Sequence, residues 1–571
     1  MSEKLFQNMS LIAGSEGGVR RLREFILQLA MMGKLVPQDI TEEPAAELLK
    51  KIKALNKSEK VIDSAEPVCR YPIPTTWEWA KLGVIATQVT DGTHHTPTYT
   101  AEGVPFLSVK DVSSGRLNFS NTRFISESEH KALCKRCKPQ YGDVLLTKVG
   151  TTGIAVVVDA KTQFSIFVSL ALIKMPLEID SRFLALQLNS PFLRRQSAEG
   201  TEGVGNKNLV LRKINNFDLV IPPQAEQRRI VSKVDELMSL CDLLEAQQND
   251  ATTVNTYLVK ALLDTLCQNT NGDFDSIWNQ VKQYFDVLFS TESSVDALIQ
   301  TLLHLAVMGK LVRQDPDHET ASSLLERIRA EKSRLEQSGT LKKEKPLDQV
   351  SASKMPYGLP ASWAWSKIGD CVLFTEYGIS EKTFSTTDGV PVIKMGDIQH
   401  GQVLLGGQKK APREAAVIFL RNQDLLYNRT NSAELVGKTG IFEGPDEKYT
   451  FASYLIRIQC IPALSEPRYL NLAMNAPSFR RTQILPHLKQ QCGQANVNGT
   501  VLKNMLVPIP PLEEQRLIVA KVAELVSLCE KLKNILRKSA ELEVLVATAL
   551  IDKALATNVI TEKSEIVLQL A

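Results

Sequence analysis

The sequence has no apolar run near the ~18 residues needed to cross a bilayer, so no membrane span is expected. Its opening, MSEKLFQNMSLIAG, lacks a basic stretch followed by a long apolar core, and no secretory signal is expected. Neither sign of charge dominates. Against 67 Lys and Arg stand 64 Asp and Glu, a net of +3, so affinity for nucleic acid has to rest on local patches rather than on total charge. The nine cysteines are odd in number and scattered, which excludes a simple disulfide framework. Together these point to a reduced, cytoplasmic protein with buried thiols.

Signatures of chemistry are also missing. Cys134 and Cys137 have the spacing of a zinc pair, but no second pair or His doublet accompanies them. Gly437-Lys438-Thr439 resembles the end of a phosphate loop, yet Ser432 stands where that loop needs glycine. His94-His95 lacks a helical partner at i+4. Asp111, Asp143 and Asp159 could be assembled into a carboxylate set, but Asp111 and its counterpart Asp397 each follow a strand, where Asp commonly makes turns. Dinucleotide fingerprints and serine elbows are absent. No catalytic or metal-binding residue is assigned, and no cofactor is expected on this chain.

What is present is a duplication. IPPQAEQRRIVSKVDELMSLCDLLE begins at Ile221, and IPPLEEQRLIVAKVAELVSLCEKLK begins at Ile509, an offset of 288 (509 − 221). LAMMGKLVPQD from Leu29 returns as LAVMGKLVRQD from Leu305, and PTTWEWAKLG from Pro74 as PASWAWSKIG from Pro360. LNSPFLRRQ from Leu188 is matched by MNAPSFRRT from Met474. A period this long is far beyond solenoid repeats and means a duplicated pair of domains.

The 571 residues, 43% of them apolar, divide into five blocks. A helical region spans 1–66, with Val19, Leu22, Ile26, Leu29 and Ala30 on one face and Gly33 as a helix stop. A globular domain follows at 71–223. A central helical region, 224–350, holds a long helix and the second copy of the N-terminal helices. The second globular domain is 356–511, and a long helix occupies 512–571. The fold class is α+β: two α/β units with mixed, mostly antiparallel sheets in a pseudo-twofold arrangement, separated by long antiparallel helices. The first unit shows short β-like runs, among them Phe164 to Met175 and Asp143 to Val149, and a helix broken at Pro191. In each copy the prolines after a last apolar strand stop it, and a glutamate (Glu226, Glu514) suits the first turn of a helix.

That helix carries Ile230, Val234, Leu237, Cys241 and Leu244 at 4-3-4-3 spacing; its copy carries Ile518, Val522, Leu525, Cys529 and Leu532. Such a heptad seam wants a partner, either the other seam or a helix beside it. The stretch Asn249 to Thr253 leaves room for an interruption of the first helix.

Binding chemistry sits in the loops of the globular units, where basic, amide, hydroxyl and aromatic groups mix. These side chains suit base edges and phosphates. The candidate contacts are His94, Thr96, Tyr99, Lys110, Lys148, Thr151, Lys207 and Asn208 in the first unit. In the second they are Lys394, Arg429, Asn431, Lys438, Lys489, Gln490 and Asn496. The loops differ between copies while the scaffold segments agree, as expected of two related modules reading different things.

GKLVPQD and GKLVRQD with their following helices, the P-x-x-W-x-W openings and the two IPP-x-x-EQ-R-x-IV helix starts, duplicated in this order, make the chain resemble the specificity subunit of type I restriction–modification enzymes over essentially its whole length. The resemblance implies two target recognition domains, each reading half of a bipartite, asymmetric site in double-stranded DNA. It implies helices that space the half-sites about one helical turn, ~34 Å, apart. It also implies docking of two methyltransferase subunits and, in the full complex, of restriction/translocase subunits, with S-adenosylmethionine, ATP and Mg on those partners. A segment beginning DFDSIWNQVKQYFDVLF at Asp273 has no role in that scheme. Two other readings are a nuclease with its own carboxylate site and a coiled-coil adaptor that binds no DNA.

Overall fold

The computed structural model describes residues 9–55, 71–202, 208–268, 274–385, 388–491 and 494–556. The chain separates into two compact units, residues 1–251 with 539–571 and residues 252–538. No described helix is long and apolar enough to cross a membrane.

In the first unit, the helix Gly18–Met31 buries Val19, Leu22, Ile26, Leu29 and Ala30. The helix Ala45–Leu55 follows and faces inward through Ala45, Leu48, Leu49 and Ile52. The globular part opens with the strand Glu78–Lys81, which pairs antiparallel with the last strand, Asp218–Ile221. First and last strands thus close the module on itself. Between them lies an antiparallel sheet in the order Gln88–Asp91, Leu170–Lys174, Val144–Thr147, Ala155–Val157. A second sheet joins Tyr99–Thr100, Arg123–Ile125, Val104–Leu107 and Ser165–Ile166, its last pairing parallel. The apolar run from Phe164 to Met175 is therefore two short strands serving different sheets. The helix breaks at Pro191 as expected: Ser190 caps a new one, its Oγ accepting from Leu193 N, and the proline takes the first position, where no donor is needed.

The second unit repeats this plan. Ala364–Lys367 pairs with Leu506–Ile509. The main sheet runs Phe374–Tyr377, Leu455–Gln459, Leu425–Asn428, Thr439–Ile441, then two short strands, Gln402–Val403 and Ile398–Gln399. A three-stranded sheet of Thr430–Asn431, Gln494–Asn496 and Lys489–Gln491 is added beside it.

Each long helix has 45 residues, Gln224–Gln268 and Leu512–Ala556, about 68 Å at 1.5 Å per residue. The first is continuous through Asn249 to Thr253, where the helix established on both sides carries the polar run cooperatively. The two seams fall in different cores. Ile230, Val234 and Cys241, with Leu237 and Leu244 at the margin, pack with Val19 to Met31 and with Ala547 and Ile551 from the end of the second long helix. Ile518 and Val522 pack with Val307, Trp363 and Tyr469. Cys529, flanked by Leu525 and Leu532, shares a core with Val259, Leu263 and Leu266 from the end of the first long helix and with Val295, Leu298 and Leu302. Each seam is thus covered by the helix Gly18–Met31 or its copy Glu292–Val307 and by the tail of a long helix, and seam-to-seam pairing is not what these cores contain. The tails do this through their own apolar positions, Val259, Leu263 and Leu266 in one and Ala547 and Ile551 in the other.

The unassigned segment after Asp273 forms the helices Phe274–Gln283 and Phe285–Leu288. Its Val281, Leu288 and Phe289 are buried in the same core as Cys529. It is a lid on that core, not a separate module.

Candidate nucleic-acid interface

The three repeated motifs meet at one buried cluster. In the first unit Glu226, from the IPP-x-x-EQ helix start, accepts the Trp77 indole N–H at 2.9 Å and the Gln38 amide at 2.6 Å. Trp77 comes from P-x-x-W-x-W and Gln38 from GKLVPQD. In the second unit Glu514 accepts from Gln314 at 2.6 Å, with Trp363 buried in the same core region. Burial pushes both carboxyls above their ordinary range. The neighbouring glutamine works in parallel: Gln227 accepts Asp180 N and donates to Pro222 O, while Gln515 accepts Glu466 N and donates to Pro510 O. Gly33 has φ +65°, and a Cβ there would stand 2.4 Å from Pro74 Cγ; Gly309 (φ +71°) meets Pro360 in the same way. These motifs fix how each module is mounted on its long helix.

On that mount, the loops converge at one edge of each main sheet. In the first unit the edge is formed by the end of Gln88–Asp91, the end of Val144–Thr147 and the start of Leu170–Lys174. Leu209 N donates to Lys148 O, and Asn208 bridges Val149, which brings Asn208–Leu209 to the same place. In the second unit Val497 N donates to Arg429 O at the equivalent point. Arg429, Asn431 and Asn496 are gathered there, and the backbones of Lys489 and Gln490 pair with Asn496 and Ala495. Arginines from the PFLRRQ and PSFRRT helices hold these loops from beneath. Arg194 donates to Thr152 O at 3.4 Å, and Arg480 to Val436 O at 2.8 Å and to Ala433 O.

Among the sequence-chosen residues, His94, Thr96, Tyr99, Lys110 and Thr151 are exposed in the first unit. Lys110 Nζ donates to Asn121 O, and Tyr99 lies under the Arg123 guanidinium at 4.4 Å. Asn208 is half-buried, and Lys207 lies outside the described residues. Lys148 is a correction to the loop reading. It is 3% exposed, and its Nζ is 2.7 Å from Asp91 Oδ2. Being the first residue past a buried strand, it points along the sheet edge rather than into solvent. Asp91 also engages Arg136, and His94 Nε2 is 3.2 Å from it. Burial works to raise the Asp91 carboxyl, but Lys148 and His94 outweigh it and hold it below its usual range.

In the second unit Lys394 and Lys438 are exposed, with Lys394 Nζ on Thr383 Oγ1 at 2.6 Å. Asn496 accepts from Thr430 Oγ1 at 3.2 Å, and Asn431 accepts Ser432 N at 2.8 Å. Arg429 is half-buried; its guanidinium stacks on the Tyr377 ring at 4.9 Å, and Nη1 donates to Ser453 O at 3.2 Å.

Sequence reasoning passed over Asp91, Tyr377, Arg194 and Arg480. The arginines had a signal, their place in a repeated motif. Asp91 and Tyr377 had none, because they end a strand whose register only the fold supplies. Asp111 and Asp143 are turn residues: Asp111 accepts Ser108 N, and Asp143 accepts Gln140 N and pairs with Lys174. Among the described residues no group of three or more His, Cys, Asp or Glu is placed to hold a metal.

The family model described as "Type I restriction modification DNA specificity domain" matches twice, at residues 74–253 and 360–544. The type I restriction enzyme EcoEI specificity subunit of Escherichia coli is 31% identical over 94% of this chain and 94% of its own length. The EcoAI specificity subunit of the same organism is 30% identical, again over 94% of each. A solved HsdS subunit from Thermoanaerobacter tengcongensis is 17% identical, with a TM-score of 0.42 over 86% of this chain and 99% of that one.

Proposed function

This chain belongs to the type I restriction–modification specificity subunits, and from that premise we propose that each of its globular modules reads one half of a bipartite, asymmetric DNA target. The observation that carries the reading is internal. One mount, built from Gln38, Trp77 and Glu226 and repeated around Gln314 and Glu514, presents two loop sets of different chemistry. A common frame with divergent loops is what two readers of different sequence require. The chain is the recognition subunit, not the enzyme. S-adenosylmethionine, ATP and Mg belong to methyltransferase and restriction/translocase subunits, and the target base is extruded into a partner's pocket. The complex works on cellular DNA in the cytoplasm.

Docking of two methyltransferase subunits is supported by a second repetition. Val254, Tyr257 and Leu258 on the first long helix are 64%, 70% and 48% exposed. Leu542, Leu545 and Val546, 288 positions later, are 60%, 65% and 45% exposed. Two equivalent apolar patches suit two copies of one partner.

Long-read methylome sequencing of a host expressing the chain with its methyltransferase partner tests the function. One motif with two specified parts and a fixed unread gap is expected. A continuous motif, or none, contradicts it.

A further inference from the structure

The two modules place different pairs at one position of the same frame. Asp91 and Tyr377 each end the first strand of the main sheet, opposite Ala171 and Ile456. Those residues in turn face Leu146 and Tyr427. Two residues on, Lys148 and Arg429 leave the strand, and their backbone N–H groups donate to Ser169 O and Tyr454 O. Asp91–Lys148 and Tyr377–Arg429 are therefore the same pair of positions, filled once by a buried ion pair and once by a guanidinium on an aromatic face.

The two fillings differ in what they leave free. Lys148 is enclosed, and its charge is matched by Asp91. Arg429 has no carboxylate partner among the described residues; Nη1 reaches only Ser453 O, and Nε is buried with no hydrogen-bond partner. The buried Nε faces the protein, so the Nη end of the guanidinium, seated over the Tyr377 ring and matched by no carboxylate among the described residues, is the part prepared for an acceptor pair outside it. The ring is itself fixed, because Tyr377 Oη accepts Gly499 N–H at 2.7 Å. Exposed aromatic surface continues around it at Tyr377 (43%) and Tyr454 (52%).

DNA offers two acceptors of this kind, a phosphate and the edge of guanine. Phosphates are the same in every half-site, so a phosphate clamp has reason to recur at equivalent positions. A group that reads sequence has reason to differ. Resting on the half-site reading above, we infer that Arg429 reads a base edge in the half-site of the second module. Tyr377 is its positioning residue, and the matching Asp91–Lys148 pair in the first module is structural and reads nothing. A planar fork of two N–H donors matches guanine O6 and N7, whereas an ammonium does not reproduce that geometry.

The test uses the full chain expressed with its methyltransferase partner, with the methylome sequenced for each variant. Arg429→Lys is expected to relax one base-pair position in one half of the motif by on the order of tenfold, with the other half unchanged. Tyr377→Leu is expected to relax the same position, and Tyr377→Phe, which keeps the ring under Arg429 but loses its bond to Gly499 N, to relax it less than leucine does. Lys148→Gln is expected to lower the unfolding temperature without altering the motif. Unchanged reading in Arg429→Lys overturns the inference. So does a uniform loss of methylation over all sequences with a shallower salt dependence, the mark of a phosphate contact. A relaxed first half in Lys148→Gln also overturns it. A wild-type chain that directs no bipartite methylation brings down the half-site reading itself, which is a separate failure from a faithful wild type beside an indifferent Arg429→Lys.

Discussion

Trp77 donates its indole N–H to Glu226 at 2.9 Å. That bond joins the opening of a recognition module to the first turn of a long helix, and both residues are almost fully buried. Because Gln38 takes the other carboxylate oxygen, two donors depend on one side chain. A Glu226→Gln variant has one acceptor for both and leaves a buried donor unmatched. It is expected to lose about 1–3 kcal/mol of stability, read as a lower denaturation midpoint at neutral pH.

The same residue gives a pH dependence with a definite sign. Burial raises the Glu226 carboxyl above its ordinary 4.5. The folded state is then the tighter proton binder, so the ionised carboxylate costs stability above the folded pKa. That cost disappears as pH falls through it toward 4.5. The stability of wild type relative to Glu226→Gln is expected to grow as pH is lowered from neutrality through this window. Thermal unfolding of both proteins across that range checks it; a gap that narrows on acidification contradicts it.

Gly33 and Gly309 are mounting points where a side chain does not fit. Alanine at either must adopt a left-handed backbone and push back a proline ring that a Cβ would approach to 2.4 Å. Each substitution is expected to cost about 1–3 kcal/mol, whereas Gly14→Ala, with open space around the Cβ, has neither close contact nor positive φ against it.

The end of the second long helix is part of the first unit's core. Ala547 is fully buried there with Ile230, Val234 and Phe25. Ala547→Asp places an unpaired charge in that core, a loss of several kcal/mol. Hydrogen exchange is expected to accelerate across Gly18–Met31 and to stay unchanged across Glu292–Val307. Equal acceleration in both helices would contradict the division into two cores.

The apolar patches on the long helices make a stoichiometric prediction. Serine at Val254, Tyr257 and Leu258 is expected to leave one methyltransferase subunit bound, and serine at Leu542, Leu545 and Val546 as well to leave none. Native mass spectrometry of the purified complexes counts them.

The mount was legible in the sequence because it is written twice. Trp77, Gln38 and Glu226 stand in three short motifs whose recurrence marks them, and only their meeting needed the fold. The strand before each IPP and the helix after it were legible too, since proline and heptad spacing act locally. Three things were not. The partner of each seam depends on where the tail of the other long helix returns, which periodicity does not encode. The continuity of the first long helix through Asn249 to Thr253 reflects cooperativity with its flanks. Lys148 read as a loop cation because the carboxylate that holds it, Asp91, lies 57 positions away in sequence.

On the half-site reading, each module reads its part of the target independently of the other. Exchanging residues 71–223 for the corresponding domain of another specificity subunit, then sequencing the methylome, tests it most directly. A motif with one half replaced and the other half and the gap retained is expected. Alteration of both halves, or of neither, would contradict it.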